Sequence, residues 1–230
     1  MASCWCTSTF MQALLASTPP SRRGAPRAWR GLIAINSALL CTAVQAFSFS
    51  ITPGPRSLFL QVGSGNMTGG GFSTGGTPGN NATINRVSVT VAPAGLGGGP
   101  VAMATDSTVA ASPYDGRTFC TVPAQVYVGG FYRTPGTAAN AVLSAATPAS
   151  LVNTSGDTIA FSTVSWISAG ASDTGTTIPN GTFAGGASQT LLSIAQNTWF
   201  ESCLQFSYAN AQIVGSGTYT GRVSYTLTAP

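Results

Sequence analysis

The chain has 230 residues, of which 6% are charged, and nine arginines stand against five acidic residues. The sequence contains neither lysine nor histidine, which excludes a Ser-His-Asp triad, a histidine-ligated zinc, a P-loop lysine and a lysine Schiff base. The length fits one domain with a short appendage, and the hydrophobic share of 43% is sufficient for a core.

The N-terminal region, residues 1–46, has the layout of a secretory signal peptide. Four arginines lie between positions 22 and 30, an apolar run follows over 31–44, and small residues end the segment at Ala46. The run is shorter than the roughly 20 residues that a membrane-spanning helix needs. We therefore predict general secretion to the periplasm, surface or surroundings of a bacterium, and a mature domain of residues 47–230 without a membrane span. Met11 is an alternative start.

The charges that follow this region balance. Five arginines remain against the five acidic residues, and they form no cluster in the sequence. Proteins that bind nucleic acid carry clustered positive charge on one face. The composition therefore predicts that nucleic acid is not a partner.

Period-two alternation of apolar and polar residues recurs along the mature chain, and helical periodicity is scarce. Strands are predicted at 57–62, 85–91, 118–133, 158–167, 189–195, 198–209 and 217–230. The alternation shifts phase within 158–167, as it does at a β-bulge. Segment 137–151 fits either a short helix or a loop. The pattern predicts an all-β fold, an antiparallel β-sandwich of about 7–9 strands.

Two cysteines, Cys120 and Cys203, follow the predicted cleavage site. An even pair in a chain bound for an oxidising compartment predicts a disulfide, with two buried free thiols as the alternative. A metal site needs more cysteine or histidine ligands than residues 47–230 offer, so we predict neither a metal nor a cofactor.

Two stretches resemble functional motifs without completing them. GSGNMT (63–68) follows a predicted strand but lacks the third glycine and the following helix of a dinucleotide-binding turn. ASDTGTT (171–177) places Asp173 in an Asp-Thr-Gly triplet, but the sequence offers no second triplet for an aspartic-protease pair. Neither stretch predicts catalysis.

Glu201 is the acidic residue that lies within a predicted strand rather than in a turn. Alternation places Glu201, Trp199 and Cys203 on one face, opposite the apolar face of that strand. We expect Glu201 to face solvent or to pair with an arginine, and we predict that the protein is not an enzyme. Four aromatic side chains either cover a sheet face or form a sugar-stacking platform: Tyr114, Tyr127, Tyr132 and Trp166.

The two ends of the predicted mature chain are similar to those of exported fibre subunits. FSFSIT (47–52) alternates and stops at Pro53-Gly54-Pro55, and GTYTGRVSYTLTAP (217–230) alternates almost without a break. With its disulfide-stapled core, the chain resembles chaperone–usher pilins and spore-coat-U-type secreted proteins. In that family an immunoglobulin-like, pilin-like β-sandwich lacks one strand, and its groove accepts a donor strand from a chaperone or from the next subunit.

This resemblance implies a secreted, non-enzymatic structural or surface protein, a pilus-like subunit that assembles by strand addition. Its partners would be further copies of itself or a periplasmic chaperone. The residues that it assigns to the donor strand are Phe47, Phe49 and Ile51. The residues that it assigns to the groove are Tyr219, Val223, Tyr225 and Leu227. The alternative is a monomeric secreted carbohydrate- or surface-binding module, in which 217–230 is the last strand of a complete sandwich.

Overall fold

The structure is a computed structural model that describes residues 55–66, 68–71, 75–77, 85–172 and 176–230. The predicted signal peptide, the donor residues Phe47, Phe49 and Ile51, and Asp173 lie outside the described residues. Within the described part the chain is all-β with antiparallel sheets, so the predicted fold class is confirmed. None of the described residues belongs to a helix long and apolar enough to cross a membrane.

The described residues form sixteen strands, many of only two or three residues. In chain order they are β1 (Ser57–Val62), β2 (Gly65–Asn66), β3 (Thr68–Gly71), β4 (Gly75–Thr77), β5 (Val87–Ser88), β6 (Val101–Ala102), β7 (Ala104–Thr105), β8 (Gln125–Arg133), β9 (Ala141–Ala146), β10 (Ser150–Val152), β11 (Thr158–Ala160), β12 (Val164–Ala169), β13 (Gly181–Thr182), β14 (Ser188–Ile194), β15 (Thr198–Tyr208) and β16 (Ser224–Thr228). Two 3₁₀ turns, Pro93–Gly95 and Phe161–Thr163, complete the described elements.

A seven-stranded sheet is built around β15, the longest strand. Its order is β13-β12-β15-β8-β1-β2, and β6 pairs with β15 off this path. The pairing with β8 runs in register from Thr198 opposite Tyr132 to Gln205 opposite Gln125. This strand is buried almost throughout, including its polar residues Glu201 and Ser202.

A three-stranded sheet of order β14-β9-β16 forms the second layer. Its central strand β9 lies within 137–151, so the expectation of a helix or a loop there is wrong. Alanine and serine dominate this strand and have low intrinsic strand preference, which weakens the sequence pattern. Pairing on both sides fixes the strand and completely buries Ala141, Leu143 and Ala145.

The phase shift within 158–167 is a 3₁₀ turn rather than a bulge. Strand β11 ends at Ala160, the turn occupies Phe161–Thr163, and β12 begins at Val164. The turn rotates the chain so that Phe161 and Val164 are both buried. The side chains that the alternation predicts to point inward therefore do so, by a different local geometry.

The two sheets share one apolar core, as the layers of a sandwich-like arrangement do. Val126, Phe200 and Leu204 come from the large sheet, and Leu143 and Ile194 come from the small one. Full burial of each such side chain stabilises the fold by about 1.5–3 kcal/mol. The core is therefore the main source of cohesion between the sheets.

The opposite face of the large sheet is covered by residues 107–120, which we call the strap. Cys120 at the end of the strap forms a disulfide with Cys203 of β15, so the predicted disulfide is confirmed. Phe119 of the strap packs edge-on against Tyr127, with ring centroids 6.1 Å apart. The strap turns this second face of β15 into a buried layer.

The two ends of the described chain meet. The Arg56 guanidinium, just before β1, donates to the carbonyl oxygens of Ala229, at 3.0 Å, and of Pro230. This contact places the start of β1 beside the end of β16.

Candidate binding groove

An apolar cavity of about 1300 Å³ lies where the two sheets part, and we call it the groove. This volume exceeds the roughly 300–1,000 Å³ of ordinary small-molecule sites. Residues 85–91 form a first wall, and residues 214–227 form a second wall. The floor consists largely of core side chains, among them Val126, Phe161, Val164, Phe183, Phe206 and Tyr208.

The first wall begins beside the end of β1. The chain leaves β1 at Gly63 and returns at Asn85, where the Ser64 amide donates to Asn85 Oδ1 at 2.7 Å. A Cβ at Gly63 would lie 2.9 Å from Asn85 Cγ, and its φ of +52° also favours glycine. The close approach of these two points brings the start of the first wall beside the end of β1.

Alternation governs the exposure of the first wall. Val87, Val89 and Val91 are half-buried, whereas Ser88 and Thr90 are exposed. Ladder pairing covers only part of the wall, through Val87–Ser88 with β7. The sequence predicts one strand over 85–91, but a regular strand is formed only at these two residues.

The second wall contains the four predicted groove residues. Tyr219, Val223, Tyr225 and Leu227 all line the groove and are half-buried, while Ser224, Thr226 and Thr228 of β16 are exposed. Burial raises the pKa of the Tyr225 phenol above its ordinary value. Half-buried and exposed residues thus alternate over 223–228, as the sequence pattern predicts.

The single strand predicted over 217–230 is interrupted. Thr220 forms an isolated bridge with Val152, through two hydrogen bonds of 3.0 Å, and the regular strand begins only at Ser224. A Cβ at Gly221 would lie 2.7 Å from Leu151 and 2.8 Å from Phe161, so the chain crosses the core edge closely there. Among the described strands, only β9 pairs with β16, so the other edge of β16 has no ladder partner among them.

The floor is a layer of aromatic rings. The Phe161 and Phe183 rings meet edge-on with centroids 5.4 Å apart, and Phe183 stacks on Phe206 at 6.1 Å. Tyr208 also belongs to the floor, with 7% of its surface exposed, and its buried hydroxyl has no hydrogen-bond partner among the described residues. The floor therefore offers mainly apolar contact.

Two arginines, Arg86 and Arg222, lie on the walls, and the lining includes no acidic residue. Beside the groove, Asp106 accepts from Asn85 Nδ2 at 3.1 Å and from the Arg86 amide at 2.8 Å. These hydrogen bonds lower the pKa of the Asp106 carboxyl. The groove is thus apolar within and neutral or positive around its opening.

Sequence reasoning missed the floor and the role of 85–91 as a wall. The floor joins residues from several distant strands, and no local pattern marks such a set. The valine alternation of 85–91 was visible in the sequence, but it did not show that a cavity lies beside it.

Glu201 is not a surface residue, so the expectation that it faces solvent or pairs with arginine is wrong. Its carboxylate is 1% exposed and accepts a 2.7 Å hydrogen bond from Tyr127 Oη. Burial raises the pKa of Glu201, and hydrogen bonds from Ser112, Tyr127 and Trp199 lower it in part. The reason for the burial is the strap, which covers this face. Such a carboxylate has no access to a large substrate.

The four candidate aromatic residues do not form a shared platform. Tyr127, Tyr132 and Trp166 are buried, and the Trp166 indole donates to the Pro179 carbonyl at 2.8 Å. Tyr114 is 41% exposed and leans on Trp199 with ring centroids 4.6 Å apart. The four aromatic residues cover sheet faces instead of forming a binding platform. In the described ranges no three histidine, cysteine or acidic residues come together as metal ligands.

Comparisons with protein-family models, with curated proteins and with solved structures find no match for this chain.

Proposed function

We propose that this protein is a secreted structural or surface subunit, and that its groove binds an extended segment from a second copy. The observation that carries the proposal is the pair of walls on either side of an apolar floor, in which half-buried and exposed residues alternate over 87–91 and over 223–227. An extended segment has the same period, so one face of it fits the floor while the other faces water.

The segment that fits best is 47–51 of another copy, which alternates Phe47, Phe49 and Ile51 with two serines. Full burial of three such side chains would contribute roughly 5–9 kcal/mol. Association itself costs about 4–15 kcal/mol, so side-chain burial alone does not give stable assembly. Main-chain hydrogen bonds to the edge of β16 would supply the remaining free energy of binding.

A second copy is favoured over the molecule's own segment by the direction of β1. Arg56 holds the start of β1 beside Ala229 and Pro230, and β1 then runs toward the groove through Leu60 and Val62. Arg56 therefore lies at the end of β1 away from the first wall. A segment that leaves one subunit and enters the next gives a head-to-tail, open assembly.

Secretion is supported by the sequence of residues 1–46 and by the disulfide, which is typical of oxidising compartments. A periplasmic chaperone that lends a strand to the groove before assembly is a partner of the same chemistry.

The experiment uses the oxidised full chain and a fluorescent peptide of residues 47–55. We expect saturable binding by fluorescence anisotropy, together with oligomers in size-exclusion chromatography and fibres in electron microscopy. Val89→Asp places a charge on the first wall and should weaken binding at least tenfold. Ile167→Asp is the matched control, because Ile167 is 63% exposed on a strand away from the groove.

Circular dichroism first establishes that both variants fold. A protein that stays monomeric and does not capture the peptide overturns the proposal. Equal weakening by the two substitutions would also contradict it, because the groove would then have no special part in binding.

A further inference from the structure

The loop that follows the first wall is held by a side chain from beyond the end of β15. Asn210 donates from Nδ2 to the carbonyl oxygens of Gly95, at 2.8 Å, and of Gly99, at 3.1 Å. Its Oδ1 accepts from the Gly97 amide at 3.3 Å. Asn210 is only 1% exposed, and both of its Nδ2 hydrogens are used in these contacts. We call residues 95–99 the clamped loop.

The sequence of the clamped loop gives it little order of its own. Four of its five residues are glycine, and Gly97 and Gly99 adopt φ values of +71° and +98°. Glycine loses more conformational freedom on folding than any other residue. The three hydrogen bonds with Asn210 therefore stabilise one conformation of a chain segment that would otherwise sample many.

The clamped loop and the end of the first wall form one continuous part of the groove lining, which includes Val89, Val91, Pro93 and Leu96. Residues 89–92 belong to no strand, so no ladder among the described strands fixes this stretch. It is held from its two ends instead. The pairing of Val87–Ser88 with β7 lies at one end, and the clamped loop lies at the other.

We propose that Asn210 is a positioning residue for the bound segment, and that it acts by ordering the first wall before binding. The inference rests on the proposed function and deepens it. Asn210 does not line the groove, but Leu96, which does, lies between two residues that Asn210 holds. Apolar burial of the segment does not by itself exceed the cost of association, so a wall that had to be ordered on binding would weaken the complex.

The first test is Asn210→Gly in the oxidised full chain. Glycine accommodates the φ of +45° at this position and removes the three side-chain hydrogen bonds. Asn197→Gly is the matched control. Asn197 has a φ of +55°, its Oδ1 accepts from the Thr134 amide at 3.2 Å, and it lies outside the groove lining.

We expect both variants to fold by circular dichroism and both to lose some stability in urea. Only Asn210→Gly should bind the 47–55 peptide more weakly, by about five- to thirtyfold, which corresponds to one to two net hydrogen bonds. If Asn210→Gly does not fold, Asn210→Asp takes its place, because aspartate keeps an acceptor for the Gly97 amide and lacks both donors.

Hydrogen–deuterium exchange separates positioning from a general loss of stability. In free Asn210→Gly the amides of residues 89–99 should exchange faster than in the wild type, and saturating 47–55 peptide should restore much of their protection. Asn197→Gly should leave the exchange of residues 89–99 unchanged.

The outcomes separate the two proposals. If the wild type does not bind the peptide, the proposed function fails. If the wild type binds the peptide and Asn210→Gly binds it equally well, only the role of Asn210 is overturned. Equal weakening by Asn210→Gly and Asn197→Gly, or unchanged exchange of residues 89–99 in Asn210→Gly, would also overturn that role.

Discussion

Gly129 is the residue at which the buried layer beneath the strap is most easily broken. It lies directly opposite Glu201 in the β8–β15 ladder, and the Tyr127 ring lies over it on its way to that carboxylate. A Cβ at this position would lie 2.5 Å from Tyr127 Cζ and still closer to the hydroxyl. Gly129→Ala must therefore displace the Tyr127 ring.

The magnitude follows from two losses and one gain. Overpacking of a tight core costs about 1–3 kcal/mol, and the lost hydrogen bond to a buried carboxylate costs about 1.5–3 kcal/mol. Replacing glycine by alanine in a strand returns about 0.5–1 kcal/mol by restricting the unfolded chain. We expect a net loss of about 2–5 kcal/mol in the free energy of unfolding.

Urea denaturation, followed by tryptophan fluorescence and circular dichroism, measures this loss. Gly95→Ala is the matched control, because its Cβ would meet only Val91 at an ordinary 3.7 Å. Tyr127→Phe removes the hydrogen bond to Glu201 and keeps the ring. It should therefore lose only the contribution of that hydrogen bond, about 1.5–3 kcal/mol in the free energy of unfolding. A Gly129→Ala variant no less stable than Gly95→Ala would refute the reasoning.

Two further predictions concern the same layer. The raised pKa of Glu201 means that the folded state binds its proton more tightly than the unfolded state, so this contribution to stability is present below the ordinary pKa of 4.5 and lost as the pH rises through the folded value. Glu201→Gln should remove this loss of stability at rising pH. The lowered pKa of Asp106, which makes stability fall as the pH falls, should remain. Identical pH–stability profiles for Glu201→Gln and the wild type would contradict this account of Glu201. Replacing Cys120 and Cys203 together by alanine opens a loop of 83 residues and should lower the free energy of unfolding by about 4–5 kcal/mol in the chain-entropy account. An unchanged urea midpoint would show that the disulfide does not stabilise the fold.

Much of the fold was predictable wherever period-two alternation coincided with β-branched or aromatic residues. Strands β1, β12 and β15 lie where the pattern puts them, and the inward face of each is apolar. Strand β9 was not predicted because three of its six residues are alanine, which has a low strand preference, and its strand state is imposed by its two neighbours. Local preference is overridden there by pairing partners more than 40 residues away in the chain.

The candidate site was predictable only in part, for the same reason. The alternation of Tyr219, Val223, Tyr225 and Leu227 is a local pattern that the sequence shows, and all four line the cavity, while their role in strand addition stays a prediction. The floor and the partnerless hydroxyl of Tyr208 depend on contacts between distant segments. The burial of Glu201 depends on the strap, whose sequence has no periodic pattern that would predict that it covers a sheet.

The position of the disulfide has a mechanical consequence for a subunit held at both ends. The bridge encloses β8 to β14 and part of β15, whereas β1 and β16 lie outside the enclosed loop. Tension applied through β1 and β16 therefore passes across the bridge and cannot draw out the enclosed chain. The length withheld is about 280 Å, for 83 residues at roughly 3.4 Å each. An oxidised molecule pulled from its two ends would extend by that much less than a reduced one before its chain became taut.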